Sequence, residues 1–365
     1  MKTQLTHNFS DIICLENLLE AWKEFEKGKK HKKDVQEFSI RLMDNIFSLN
    51  ADLLNHTYES GGYQAFKIND PKPRDIHKAG VRDRLLHHAI YRKLYPFFDR
   101  TFISDSYSCR NEKGTHKAID KFQTYSRKAS QNNTRTCWVL KCDIKKFFAN
   151  IDHKILIQIL TEYIPDNDII KLLTRVINSF STQGRKSTGL PLGNLTSQLF
   201  VNIYMNKFDQ FVKHKLKARC YIRYADDFVF LSEDKSQLEK QIPIIEKFLR
   251  EELKLQMHPD KVFLKTISSG VDFLGMVNFF DHRVLRTATK RRMFRKIGKK
   301  KIELEREIIS KEEFNQSLQA YFGVLGHCCG YKIEKEMAYA ARSLQFEKAA
   351  VIRDEISQLR KIQMK

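Results

Sequence analysis

Apolar residues along this chain follow two rhythms in turn. Near the start they recur at helical spacing, through Leu15, Leu18, Leu19, Trp22 and Phe25 and again through Phe38, Leu42, Ile46 and Phe47. Each set lines one face of a helix, and the chain to about Asn69 is read as mainly helical. Between the two sets, Lys27-Gly28-Lys29-Lys30-His31-Lys32-Lys33 is either a solvated loop or a nucleic-acid contact. Phe66-Lys67-Ile68 and the stretch from Pro71 to Ile76 read as strand, turn and strand, and Arg82 to Phe98 reads as helix. Strand character then peaks three times. The runs are Cys137 to Asp143, Cys220 to Tyr224 resuming as Phe228 to Leu231, and Asp272 to Val277. Helical stretches, notably Thr196 to Phe211 and Gln237 to Leu253, separate them. The alternation predicts an α+β fold with helices on one face of a sheet.

Beyond Leu285 the chain becomes helical and basic, with Lys290, Arg291, Arg292, Arg295, Lys296, Lys299, Lys300 and Lys301. From Ile333 the spacing predicts two short amphipathic helices. Met337, Ala341 and Leu344 line one, and Ala349, Ile352, Ile356 and Leu359 the other. A hairpin this short cannot bury its own apolar stripe, so it is expected to dock on a partner or on the rest of the chain.

Charge changes this picture from a fold to a class of partner. Lys and Arg number 65 against 44 Asp and Glu, a formal net charge of +21. Such an excess predicts a polyanionic partner, because basic contacts to phosphates release counterions. The 365 residues, 42% of them hydrophobic, exclude a disordered basic tail and suffice for two or three domains. No apolar run approaches the roughly 20 residues of a bilayer span, so no membrane partner is expected. Seven cysteines without a Cys-x-x-Cys pair form neither a disulfide framework nor a zinc site by pattern, and a cytoplasmic location is expected.

Candidate chemistry sits at two places. Asp143 ends an apolar strand, and Asp226-Asp227 occupies the tight connection between two apolar strands. Carboxylates crowded at a sheet edge repel one another, and a divalent cation relieves that. Carboxylate oxygens suit Mg²⁺, and two such ions about 4 Å apart can activate a 3′-hydroxyl and steady a leaving pyrophosphate. An isolated Asp-Asp pair is ordinarily a turn. Here the apolar flanks and the overall charge favour a metal-dependent phosphate chemistry.

Several ordered motifs resemble those of reverse transcriptases. Leu140-Lys141-Cys142-Asp143-Ile144-Lys145-Lys146-Phe147-Phe148 is similar to the family's first catalytic motif, and Tyr224-Ala225-Asp226-Asp227 to its YxDD box. The resemblance implies a right-hand polymerase with Asp143, Asp226 and Asp227 as catalytic metal ligands. It implies two Mg²⁺ ions, with Mn²⁺ as a substitute. Phe148 would exclude a ribose 2′-hydroxyl. Leu192 and Gln198, within Gly189 to Gln198, would face the incoming nucleotide. Lys261 lies in the counterpart of a later lysine-bearing motif, and Phe273, Leu274 and Gly275 in that of the primer grip. Arg74, and Arg84 within Arg82-Asp83-Arg84, would hold the triphosphate, with Arg74 the better fit. Lys290, Arg291, Arg292, Arg295 and Lys299 would contact the backbone of an RNA–DNA hybrid. The implied domains are N-terminal helices and fingers over 1–136, a palm over 137–284 with a finger insertion at about 150–190, a thumb over 285–332, and the hairpin over 333–365.

Departures point to one branch of that family. Leu192 stands where intron-encoded and retroviral enzymes usually carry Gln, and Gln198 where the intron type has Pro. Leu192-Gly193-Asn194-Leu195-Thr196-Ser197-Gln198, Ile103 to Arg110 and Gly114-Thr115-His116 resemble enzymes of diversity-generating retroelements. These copy a template RNA into cDNA with errors at adenines. The resemblance adds template RNA, cDNA and dNTPs as partners, with a small basic helical-bundle accessory protein. Phe346 to Ala350 with Arg353 to Ile356 resembles the UVR motif, a hairpin that pairs with another copy. The alternatives left open are an antiphage or domesticated group II intron-like reverse transcriptase and, in another class, a catalytically silent RNA-binding assembly factor.

Overall fold

A computed structural model of the chain describes residues 3–69 and 73–331, with 333 and 335. The turn at Pro71-Lys72 and nearly all of the C-terminal hairpin expected from Ile333 lie outside the described residues. The chain forms two compact units, 1–122 with 138–264, and 123–137 with 265–365. No helix among the described residues is long and apolar enough to cross a membrane.

The first unit opens with α1 (Phe9–Ile13), α2 (Leu15–Glu26), α3 (Lys33–Ile40) and α4 (Leu42–Leu54). Asn8 caps α1 in a reciprocal box with Asp11, satisfying donors the first turn leaves open. α2 buries Leu18, Ala21, Trp22 and Phe25, the face its spacing marks. Next come an antiparallel ribbon of β1 (Tyr63–Ile68) and β2 (Arg74–Ala79), then α5 (Val81–Thr101). α5 buries Leu85, Leu86, Ala89, Ile90, Leu94 and Phe98 and packs against α2. After α6 (Thr115–Ala129), whose second half belongs to the other unit, follow β3 (Trp138–Asp143), α7 (His153–Thr161), α8 (Asn167–Asn178) and α9 (Leu195–His214). α9 is buried around most of its circumference, with the polar Asn202, Asn206 and Asp209 among the buried residues, and packs against α5 and α7.

The unit's sheet is completed by β4 (Tyr221–Tyr224) and β5 (Asp227–Ser232), with α10 (Lys235–Leu253) returning over it. β5 lies between β4 and β3, antiparallel to both, and β6 (Phe263–Thr266) continues the sheet beyond β3. Aromatic rings join the strands to α9 and α10. Phe208 meets Phe228 at 5.1 Å and Phe211 stacks on Phe248 at 4.1 Å. Burying one face of β4 and β5 under these rings leaves the strand ends as the site's platform.

In the second unit β7 (Val271–Phe273), β8 (Met276–Asn278) and β9 (Arg283–Leu285) form an antiparallel meander. The single strand expected from Asp272 to Val277 is therefore a hairpin. Leu274 and Gly275 both take positive φ, +51° and +86°, which turns the chain in two residues. Asn278, buried, donates to the carbonyls of Val271, Phe273 and Met276 and ties the turn together. α11 (Thr287–Glu305) then buries only Met293 and Ile297, and α12 (Lys311–Leu325) packs on it behind a Ser310–Glu313 capping box.

Candidate active site

The register of β3 on β5 sets Asp143 directly opposite Asp227. Tyr224 pairs Asp227 from the other side, so Asp226 lies in the two-residue turn between β4 and β5. Ala225 enters that turn at φ +55°. Behind it, the Ile144 amide donates to the Asp226 carbonyl at 3.2 Å, and the His258 amide to the Asp143 carbonyl at 2.7 Å. Three carboxylates thus meet where the sheet's apolar interior ends.

That crowding shows in their acidities. Burial, then the neighbouring Asp143 and Asp227 charges, push the Asp226 carboxyl up to about 6. Asp227 is raised as well, chiefly by burial, against the pull of Lys141. Two lysines answer part of the negative charge. Lys261 Nζ lies 2.8 Å from Asp143 Oδ1, and Lys141 Nζ lies 3.3 Å from Asp227 Oδ1. The second contact is an ion pair without hydrogen-bond geometry, since Asp227 Oδ1 has no hydrogen-bond partner. Among the described residues no three acidic, histidine or cysteine side chains are closed to metal-holding distance. The oxygen-only donors and the desolvated, under-neutralised carboxylates nevertheless fit a hard divalent cation.

A second group of expected site residues begins at Phe148, five positions after Asp143. Phe147–Asn150 forms a single 3-10 turn, in which Phe148 is half-buried and its carbonyl accepts from the Leu190 amide at 2.8 Å. Gly189 has φ +102°, and a Cβ there would collide with the Thr182 side chain, so only glycine fits. Leu192 is half-buried, and its carbonyl accepts from the His77 amide of β2 at 3.1 Å. Asn194 Nδ2 donates back to the His77 carbonyl at 3.0 Å. Gln198 follows in the first turn of α9, half-buried. Phe148, Leu192 and the β1–β2 ribbon are thereby tied into one backbone network.

Other expected site residues have different surroundings. Arg74 opens β2 and is exposed. Arg84 donates to Asp34 at 2.6 Å and lies over the Phe25 ring, making no contact with the aspartates. Its neighbours are equally engaged. Arg82 pairs with Asp52, and Asp83 is buried under the Tyr58 hydroxyl and the Gly61 amide. Phe273, Leu274, Gly275 and the α11 cations belong to the second unit. There Phe273 is buried, while Arg291, Arg295 and Lys299 are exposed along one face of α11. Lys299 also lies 3.7 Å from Glu303. Lys290 lies over Phe294, and Lys290 and Arg292 are half-buried.

A family model described as Reverse transcriptase (RNA-dependent DNA polymerase) matches residues 68–277, more than half of the chain. The chain belongs to the reverse transcriptase family. Its members are RNA-directed DNA polymerases. Protein YkfC of Escherichia coli (strain K12) is 25% identical over 303 residues, covering 71% of this chain and 77% of that protein. The group II intron-encoded protein LtrA of Lactococcus lactis subsp. cremoris is 23% identical over 295 residues, covering 62% of this chain and 47% of LtrA. Among solved structures, apo telomerase of Candida tropicalis superposes with a TM-score of 0.47 at 14% identity, over 67% of this chain and 60% of that one. The chain thus spans most of YkfC but under half of LtrA. A second model, the UvrB/uvrC motif, matches 332–362, largely outside the described residues.

Within this reverse transcriptase, sequence reasoning missed two side chains at the site. Lys141 stands two positions before Asp143 and so on the same strand face, a signal that strand alternation carries. Arg223 reads as one more strand residue, yet it is fully buried.

Proposed function

We propose that the chain makes cDNA on an RNA template by metal-dependent nucleotidyl transfer, with Asp143, Asp226 and Asp227 as the metal-holding carboxylates. The observation that carries this reading is the pairing of Asp143 with Asp227 beside the Asp226 turn. Two Mg²⁺ ions, or Mn²⁺, bound there would supply Lewis-acid activation of the primer 3′-hydroxyl and neutralise the departing pyrophosphate. The side chains do the rest. Asp143 and Asp226 hold and orient, and Asp227, shared with Lys141, contributes less direct ligation. Phe148 borders the sugar, Leu192 and Gln198 the base, and Arg74 and Lys261 the phosphates. Arg84, bonded to Asp34, is the second candidate for the triphosphate after Arg74. The palm (137–284) thus follows the fingers (1–136) and precedes the thumb (285–332). Phe273-Leu274-Gly275 grips the primer, and Arg291, Arg295 and Lys299, with Lys290 and Arg292, follow the hybrid backbone.

The finer reading is a retroelement enzyme that diversifies sequence through errors at template adenines, working with a small basic helical-bundle protein. The 333–365 hairpin would pair with a partner or a second copy. Leu192 supports the low fidelity, because apolar shape discriminates bases far less sharply than hydrogen bonds. Sequencing cDNA made on a defined RNA by the wild type and by Leu192→Gln tests it. Frequent adenine errors, reduced by the substitution, are expected. Equal spectra would remove the role of Leu192, and accurate cDNA from the wild type would favour the second reading. That reading is an intron-like or antiphage enzyme, and the similarity to the group II intron-encoded LtrA supports its intron-like form.

A further inference from the structure

Arg223 and Asp209 form an ion pair in which both side chains are fully buried. Arg223 Nε reaches the two Asp209 oxygens at 2.8 and 3.0 Å, and Nη2 reaches Oδ2 at 2.7 Å. Nη2 also donates to Ser106 Oγ at 2.9 Å, and Nη1 to Asn202 Oδ1 at 3.2 Å. The last bond runs from Nη1 to the Ala225 carbonyl, at 3.2 Å. All five guanidinium donors are therefore in use, and Tyr221 donates its hydroxyl to Asp209 as well. Asp209 sits on α9, and Asp105 to Tyr107 flank the free edge of β4 through bonds to the Arg223 backbone at 3.0 Å. Lys213 in turn anchors Asp105 at 2.9 Å.

Stability alone is a weak reason for such a pair, since apolar residues of like volume are often as stable in its place. The bond to Ala225 supplies another reason. Ala225 holds a left-handed backbone conformation immediately before Asp226. Its carbonyl belongs to the peptide plane entering Asp226, and the Asp226 carbonyl, bonded by Ile144, belongs to the plane leaving it. With both planes fixed, the Cα–Cβ bond from which the Asp226 carboxylate projects is fixed too.

We propose that Arg223, clamped by Asp209, is a positioning residue that aims the Asp226 carboxylate by holding the Ala225 carbonyl. This rests on the reading of Asp226 as a metal-holding carboxylate. The planar fork is essential, because a lysine ammonium cannot span Asp209, Ser106, Asn202 and Ala225 together.

Two variants of the full chain test it, Arg223→Lys and the paired Asp209→Leu/Arg223→Met, which removes both charges at similar volume. Four quantities are read: thermal midpoint, kcat and dNTP KM in RNA-templated extension, and Mn²⁺ affinity from the free-ion paramagnetic resonance signal. Folded variants should lose about tenfold or more in kcat and bind Mn²⁺ several-fold more weakly. Their KM should stay within about twofold. Wild-type kcat and Mn²⁺ affinity in a folded variant would overturn the proposal and leave only a core ion pair. If the paired variant does not fold, Arg223→Lys decides on the same quantities. Asp226→Asn runs alongside. Full extension by that variant would sink the carboxylate reading itself, whereas its failure beside fully active Arg223 variants would sink this inference alone.

Discussion

The strand ends of the first unit and the α11 face of the second carry charge in opposite ways. At Asp143, Asp226 and Asp227 the charges are few and desolvated, and Lys261 and Lys141 partner only Asp143 and Asp227. On α11 the cations Arg291, Arg295 and Lys299 stand in solvent along one side of a helix that buries only Met293 and Ile297. A group that must act on one atom needs fixed geometry and low dielectric, which only a packed sheet supplies. A group that tracks a repeating backbone needs reach and number instead. Losing one carboxylate should therefore be severe, and losing one α11 cation mild.

That contrast can be broken by substitution. Asp143→Asn should leave the fold intact and lower the extension rate by about 10²–10³-fold or more, read by single-turnover kinetics. Little change would mean that the buried cluster is only structural. Removing Arg291, Arg295 and Lys299 together by Ala should leave the single-turnover rate at saturating hybrid unchanged. It should reduce the slope of log affinity against log salt by about 2–3, nearly one per side chain. An unchanged slope would take α11 off the nucleic-acid path.

Acid sharpens the same comparison, because among the described residues the buried histidines lie in the first unit. Burial pushes His87 down to about 4, and His88 likewise. Their folded pKa lies below the unfolded value of about 6.5, so the unfolded chain binds more protons between those limits. Stability is then full above about pH 6.5 and falls as the pH drops toward 4, by about 2 kcal/mol for His87 at pH 5. Denaturant melts at pH 7 and pH 5 should show this, and His87→Leu should narrow the gap. A gap that the substitution leaves untouched would contradict the assignment.

The three aspartates and the strands bearing them could be read in the sequence because apolar runs flank them directly. Helix faces such as Leu18, Trp22 and Phe25 were legible for the same local reason. What escaped reading depends on distant partners. The bond of Arg84 to Asp34, fifty positions earlier, has no local sign in the sequence. Arg223 looks like strand until Asp209 and Ser106 surround it. The turn at Leu274-Gly275 hid in an apolar run, and its one local sign was Gly275. Lys141 was visible beside Asp143, but its pairing with Asp227 needed the register of β3 on β5.

The most direct measurement is Mg²⁺-dependent addition of single nucleotides to a DNA primer on an RNA template, comparing the purified wild type with Asp226→Asn. Extension that requires Mg²⁺ and disappears in the folded variant is the result predicted here. Equal extension by both proteins would contradict the account, because the chemistry would then lie away from the β4–β5 turn.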